Sequence, residues 1–121
     1  MEFVDTNIIL RYLLEDNEEQ FAEATQILET SEVLISFEVI AEAVYVLMSV
    51  YKIPRGTIAR MMIKLSAYPT VKSNDHEVLN FALTMLAKTN LDIVDCLLIG
   101  YNNLRGHEVH TFDKQMKKYL R

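Results

Sequence analysis

Phe3-Val4-Asp5-Thr6-Asn7-Ile8-Ile9-Leu10-Arg11-Tyr12-Leu13-Leu14 sets a short apolar strand, an acid at its end and a helix in immediate succession. Phe3-Val4 reads as the strand. Thr6 or Asn7 reads as the cap of a helix whose apolar positions run from Ile8 to Leu14. The same unit recurs downstream. Val33-Leu34-Ile35 is a strand, followed by Ser36 as the cap of a helix from Glu38 to about Val50. Thr70-Val71 is a third short strand, and Glu108 to Phe112 is a last one before a terminal helix capped by Asp113. Between these lie a helix near Glu18 to Glu29 and one that starts at Pro54 and ends before Pro69. Asn74, with Glu77 three residues on, resembles a capping box for a helix through Leu86, and a further helix begins near Asp92 and leaves at Gly106. Strands alternating with longer helices predict an α/β fold around a parallel sheet.

The 121 residues have room for one domain, 1–121, able to bury roughly two-thirds of the surface exposed on unfolding. Half of them are hydrophobic and 24% charged, which excludes a disordered chain. No apolar run approaches the roughly 20 residues that cross a bilayer, so no membrane partner is expected. Met1-Glu2-Phe3-Val4-Asp5 lacks the basic flank and apolar length of a signal peptide, and a cytoplasmic location is the expectation. Cys96, the only cysteine, rules out an internal disulfide and reads as a buried, inert thiol. The net charge of −5 argues against a protein that coats nucleic acid by bulk attraction, but is compatible with carboxylates gathered to hold a cation.

Four acids stand apart from those on polar helix faces. Asp5 and Asp113 each follow a strand, where open parallel sheets place their ligand sites; a helix cap accounts for either one equally well. Glu42 is the only charge between Glu38 and Lys52, in a helix otherwise composed of Val39, Ile40, Ala41, Ala43, Val44, Tyr45, Val46, Leu47 and Met48. A helix apolar nearly all round is a buried one, and a buried carboxylate is costly unless paired or metal-bound; the alternative is that Glu42 sits at a rim and reaches water. Asp95 sits likewise among Ile93, Val94, Cys96, Leu97, Leu98 and Ile99, with Asp92 one turn earlier as the cap. All four can converge at one end of the sheet. Two carboxylates about 5 Å apart repel by roughly 3 kcal/mol at an effective dielectric near 20, so such a pocket calls for protonation or for a cation. Oxygen ligands without cysteine select a hard ion, Mg²⁺ or Mn²⁺.

Val4-Asp5-Thr6-Asn7 before an apolar helix, Glu42 within Val39 to Leu47, Val94-Asp95-Cys96 and Thr111-Phe112-Asp113 together resemble the PIN-domain nucleases, most closely the VapC-type toxins of prokaryotic toxin–antitoxin pairs. The likeness spans essentially the whole chain, with the four acids in family order. It implies a PIN-like three-layer α/β/α sandwich around a mostly parallel sheet of four or five short strands. It also implies that Asp5, Glu42, Asp95 and Asp113 are the catalytic, metal-binding set for Mg²⁺ or Mn²⁺. Asn7 and Thr111 would be supporting polar groups, and Asp92 an additional acid. Cys96 stands where alanine is the commoner family choice. The resemblance further implies endonucleolytic RNA cleavage leaving 5′-phosphate and 3′-hydroxyl ends, a cognate antitoxin and a homodimer.

A carboxylate such as Asp95 or Asp113 would orient the attacking water. Arg11, and a C-terminal set of Lys114, Lys117, Lys118 and Arg121, are candidate RNA contacts; Lys52, Arg55, Arg60 and Lys64 form a further basic set, and solvated helix faces account for all of them as well. His76, His107 and His110 read as surface or strand residues. A receiver domain would need an acid at the end of the middle strand, where Thr70-Val71-Lys72 has none. A metal-binding module without catalysis and a DNA-directed nuclease of related fold are the remaining rivals.

Overall fold

A computed structural model describes residues 1–121. Its elements run β1 (Glu2–Phe3), α1 (Thr6–Leu14), α2 (Glu18–Thr30), β2 (Val33–Leu34), α3 (Phe37–Ser49), α4 (Arg55–Ser66), β3 (Val71–Lys72), α5 (His76–Lys88), α6 (Ile93–Arg105) and α7 (Lys114–Lys117). The strands form one parallel sheet in the order β1-β2-β3, with Glu2 opposite Val33 and Val33 opposite Val71. The fold is α/β, and the sheet has three strands where four or five were expected.

The missing strand is Glu108 to Phe112. The period-two pattern that suggested it is real, since Val109 and Thr111 are half-buried while Glu108, His110 and Phe112 are exposed. None of these residues makes a backbone hydrogen bond. Both ends of the stretch are tied to α6 instead. The Asn102 amide donates to the His107 and Arg121 carbonyls, and the Asn103 amide to the Tyr119 carbonyl. Alternation specifies an extended backbone, whereas ladder pairing also needs a free edge alongside.

Capping side chains fix where the helices begin. Ser36, Asp92 and Asp113 cap α3, α6 and α7 as their positions predicted. Two caps differ by one or two residues from the sequence reading. Asp5, not Thr6 or Asn7, accepts the Ile8 N–H at 3.2 Å and caps α1. Asp75, not Asn74, accepts the Val78 N–H at 3.1 Å and caps α5. Asn74 reaches across to the Phe37 N–H at 2.7 Å, tying the exit of β3 to the first turn of α3. Neighbouring Asx and Ser/Thr residues compete for one cap by chemistry alone, and the strand exit geometry decides between them.

Helix α6 ends at Gly106, whose φ of 73° is left-handed and suits glycine. The core joins Ile9, Leu28, Ile35, Leu47, Ile58, Leu83, Leu86 and Ile99, all essentially inaccessible, across most of the elements. Helix α1 packs on α2 and α3, α3 also on α4 and α6, and α5 on α4 and α6. The α5–α6 contact is close at Gly100, where a Cβ would lie 3.1 Å from Val78 Cγ1 and 3.3 Å from the Val78 carbonyl.

Helix α3 is not buried all round. Phe37, Ile40, Ala43, Val44 and Leu47 face the core, while Glu38, Glu42 and Tyr45 lie on an open face. Glu42 is therefore exposed, and its apolar sequence neighbours do not enclose it.

Candidate metal centre

Each predicted acid can be traced to the element that carries it. Asp5 leaves β1 and caps α1 through Oδ1. Asp92 Oδ1 accepts the Asp95 N–H at 2.8 Å, and Asp113 Oδ1 accepts the N–H groups of Gln115 and Met116 at 2.8 and 3.2 Å. In all three the Oδ2 atom is left without a protein donor. The cap reading of Asp5 and Asp113 is thus correct as local structure, yet it uses only half of each carboxylate.

Asp95 sits one turn into α6, half-buried. Burial raises its pKa above the ordinary carboxylate value, and the negative charges of Asp92 and then Asp113 raise it further. Asp92 and Asp113 therefore both lie within electrostatic reach of Asp95, although they are far apart in sequence. Glu42 is on α3, which packs against α6. One turn on from it, Val44, Tyr45 and Met48 share a groove with Asp92 and Ile93.

Convergence stops short of a finished ligand set. No three His, Cys, Asp or Glu side chains are drawn together ready to hold a metal ion. Asp92 and Asp113 bear on Asp95, whereas Asp5 and Glu42 are not drawn into a metal-binding group with them. The chain's ion pairs are Arg11–Asp16, Arg105 with Asp75 and Glu77, and His110–Glu108. None involves Asp5, Glu42, Asp92, Asp95 or Asp113. Five unneutralised carboxylates, all oxygen donors, fit a hard divalent cation. Cys96 is no competitor, because burial pushes its thiol up to about 11 and leaves it protonated.

The supporting residues divide. Thr111 Oγ1 accepts the Asp113 N–H at 3.0 Å and lies 3.6 Å from Met116 Sδ, so it does orient the segment that carries Asp113. The Asn7 side chain is exposed and makes no hydrogen bond, neither capping α1 nor holding Asp5. Arg11 is engaged elsewhere, with both oxygens of Asp16 at 2.8–2.9 Å and with the Tyr51 hydroxyl at 3.2 Å. Arg55 is committed to the Leu86 and Leu91 carbonyls. Lys114, Lys117 and Lys118 are exposed and free of acidic partners. His76, His107 and His110 are all at the surface.

One exposed residue of this region carried no special weight in the sequence. Phe112, directly before Asp113, is fully exposed. Its signal was available, because an aromatic residue on the outward side of a period-two pattern has no core to enter.

No helix is long and apolar enough to cross a membrane. No curated protein and no solved structure matches the chain. The PIN domain model matches residues 3–120, almost the whole length, and covers every acid described above. PIN domains are metal-dependent nucleases that typically use Mg²⁺ or Mn²⁺. By this match and its parallel α/β sheet, the chain belongs to the PIN domain family.

Proposed function

We propose that this PIN domain is an endoribonuclease dependent on Mg²⁺ or Mn²⁺, and the toxin of a VapC-type toxin–antitoxin pair. Asp5, Glu42, Asp95 and Asp113 are its metal-binding and catalytic acids, with Asp92 as an accessory. The observation that carries this reading is Asp95, a half-buried carboxylate with no cationic partner in the field of Asp92 and Asp113. Such a group is costly without a counter-charge and useful with one.

A divalent cation held there would acidify a bound water and neutralise charge developing on a phosphodiester. The chain's own task is to aim that water. Asp95 or Asp113 would accept a proton from the attacking water at a carboxylate oxygen as the water oxygen bonds to phosphorus. The bond from phosphorus to the 3′ oxygen would break, the departing oxygen taking a proton from solvent to become a 3′-hydroxyl while the other product keeps a 5′-phosphate. Thr111 keeps Asp113 oriented through its backbone N–H. Lys114, Lys117 and Lys118 attract the substrate strand, whereas the engagement of Arg11 with Asp16 and Tyr51 weighs against a phosphate contact there. The molecule works as one domain in the cytoplasm, as a homodimer, restrained by an antitoxin protein.

Asp5→Asn tests the proposal. Asparagine caps a helix about as well as aspartate, so the fold should persist. Cleavage of single-stranded RNA in Mg²⁺ or Mn²⁺ should be lost. Equal cleavage by wild type and variant would refute the catalytic assignment. Faster turnover of single-stranded DNA than of RNA would redirect it to a DNA-directed nuclease. Harmless overexpression of a folded, metal-competent protein would remove the toxin reading.

A further inference from the structure

Phe112 is the one large hydrophobic residue that is fully exposed. A phenylalanine left in water forgoes roughly 1.5–3 kcal/mol that burial would supply, so its position needs a reason. The backbone around it is held on both sides. Thr111 turns inward, its hydroxyl taking the Asp113 N–H, and Asp113 then caps α7. Thr111 is half-buried and Phe112 fully exposed, so the ring lies on the solvent side of the segment. The ring stands one residue from Asp113, a carboxylate whose charge reaches Asp95. On its C-terminal side follow Lys114, Lys117 and Lys118, exposed and unpaired.

An exposed aromatic side chain followed along the chain by unpaired cations, next to an acid suited to phosphodiester chemistry, matches one ligand class. Single-stranded nucleic acid presents a flat base and a phosphate at each step, and binds where rings stack and cations track the backbone. A protein partner would satisfy the ring but would not call for three adjacent unpaired lysines in an otherwise acidic chain. We propose that Phe112 is a stacking platform for a base of the single-stranded RNA substrate adjoining the cleavage site, with the lysines after it holding that strand's phosphates. This rests on the nuclease reading given above.

The chain has no tryptophan, so Phe112→Trp introduces a single indole at the point in question, excited to the red of the six tyrosines. It is read in the Asp5→Asn background with an oligoadenylate of about ten nucleotides, which stays uncleaved, and with inorganic polyphosphate as a charge control. Stacking predicts emission quenched by the oligonucleotide and not by polyphosphate. In the otherwise wild-type enzyme Phe112→Ala should raise KM for RNA roughly tenfold, and Phe112→Tyr should restore it. Three results would each overturn the proposal. One is binding of the oligonucleotide by anisotropy without quenching. The second is equal quenching by polyphosphate. The third is an emission shift with protein concentration alone, which would assign the ring to self-association. Failure of the wild type to cleave any RNA would strike the nuclease reading instead, and the quenching would still decide the role of the ring.

Discussion

Asp92 accepts the backbone N–H of Asp95 at 2.8 Å, so the residue that starts α6 also fixes a second carboxylate one turn away. Burial and the charges of Asp92 and Asp113 raise the Asp95 pKa above its ordinary 3.8. A carboxyl raised on folding binds its proton more tightly in the native than in the unfolded state. Its contribution to stability is full below pH 3.8 and is lost as pH rises through the higher native value. Asp95→Asn removes that penalty. Its melting temperature should exceed the wild-type value at pH 7, and the gain should vanish below pH 3.8. Calorimetry across this range checks it, and a variant less stable than wild type at pH 7 would show that burial and repulsion do not govern the site.

The same unbalanced charge predicts stabilisation by metal. A cation that binds the native state alone adds about 2.7 kcal/mol when its concentration is a hundred times its dissociation constant. Titration with MnCl₂ or MgCl₂ should raise the wild-type melting temperature, and EDTA should reverse the rise. In Asp113→Asn the cap on α7 survives, since asparagine retains Oδ1, but the shift should shrink markedly. An undiminished shift would place the cation elsewhere.

Away from this site, Asp75 behaves in the opposite sense. Its hydrogen bonds from Arg105, at 2.8 and 2.9 Å, hold its pKa below the ordinary 3.8, and the Val78 N–H adds to the effect. A lowered native pKa gives stability that is present above pH 3.8 and lost as pH falls through the native value. Asp75→Asn keeps the α5 cap but not the charge, and should lose less stability than wild type on acidification across that window. Asp75→Ala removes the cap as well, which costs about 1 kcal/mol at neutral pH. Urea melts at pH 7 and pH 3 separate the two contributions.

How far the sequence foretold this depends on the range of the interaction that decided each feature. Ser36, Asp92, Gly106 and Asp113 were legible because caps and a left-handed exit turn are set within a few residues. Asp5 and Asp75 were displaced by one or two residues because neighbouring capping groups are chemically equivalent. Glu42 lay in a run of apolar residues, but Glu38, Glu42 and Tyr45 share a helix face that no other element covers, and only packing reveals that. The strand expected at Glu108 to Phe112 failed for a related reason. Asn102 and Asn103 draw the flanking chain to α6, a tertiary preference invisible to period-two alternation. Of the acids read together in the sequence, Asp92 and Asp113 bear on Asp95, while no three acids are drawn into one metal-binding group. That Asp113 acts on Asp95, across 18 residues, is settled by the chain's path in space.

The C-terminal lysines make the last prediction. Each phosphate neutralised on a single strand releases condensed counterions, giving a slope of about −0.7 in log K against log salt concentration. Lys117 and Lys118 are exposed, lack acidic partners and lie at the end of α7, so reversing them should leave stability almost unchanged. Lys117→Glu with Lys118→Glu should weaken RNA binding at low salt and flatten the slope by about 1.4 if both touch phosphates. Fluorescence anisotropy of labelled RNA in the Asp5→Asn background measures this without turnover. An unaltered slope would remove the α7 lysines from the substrate path.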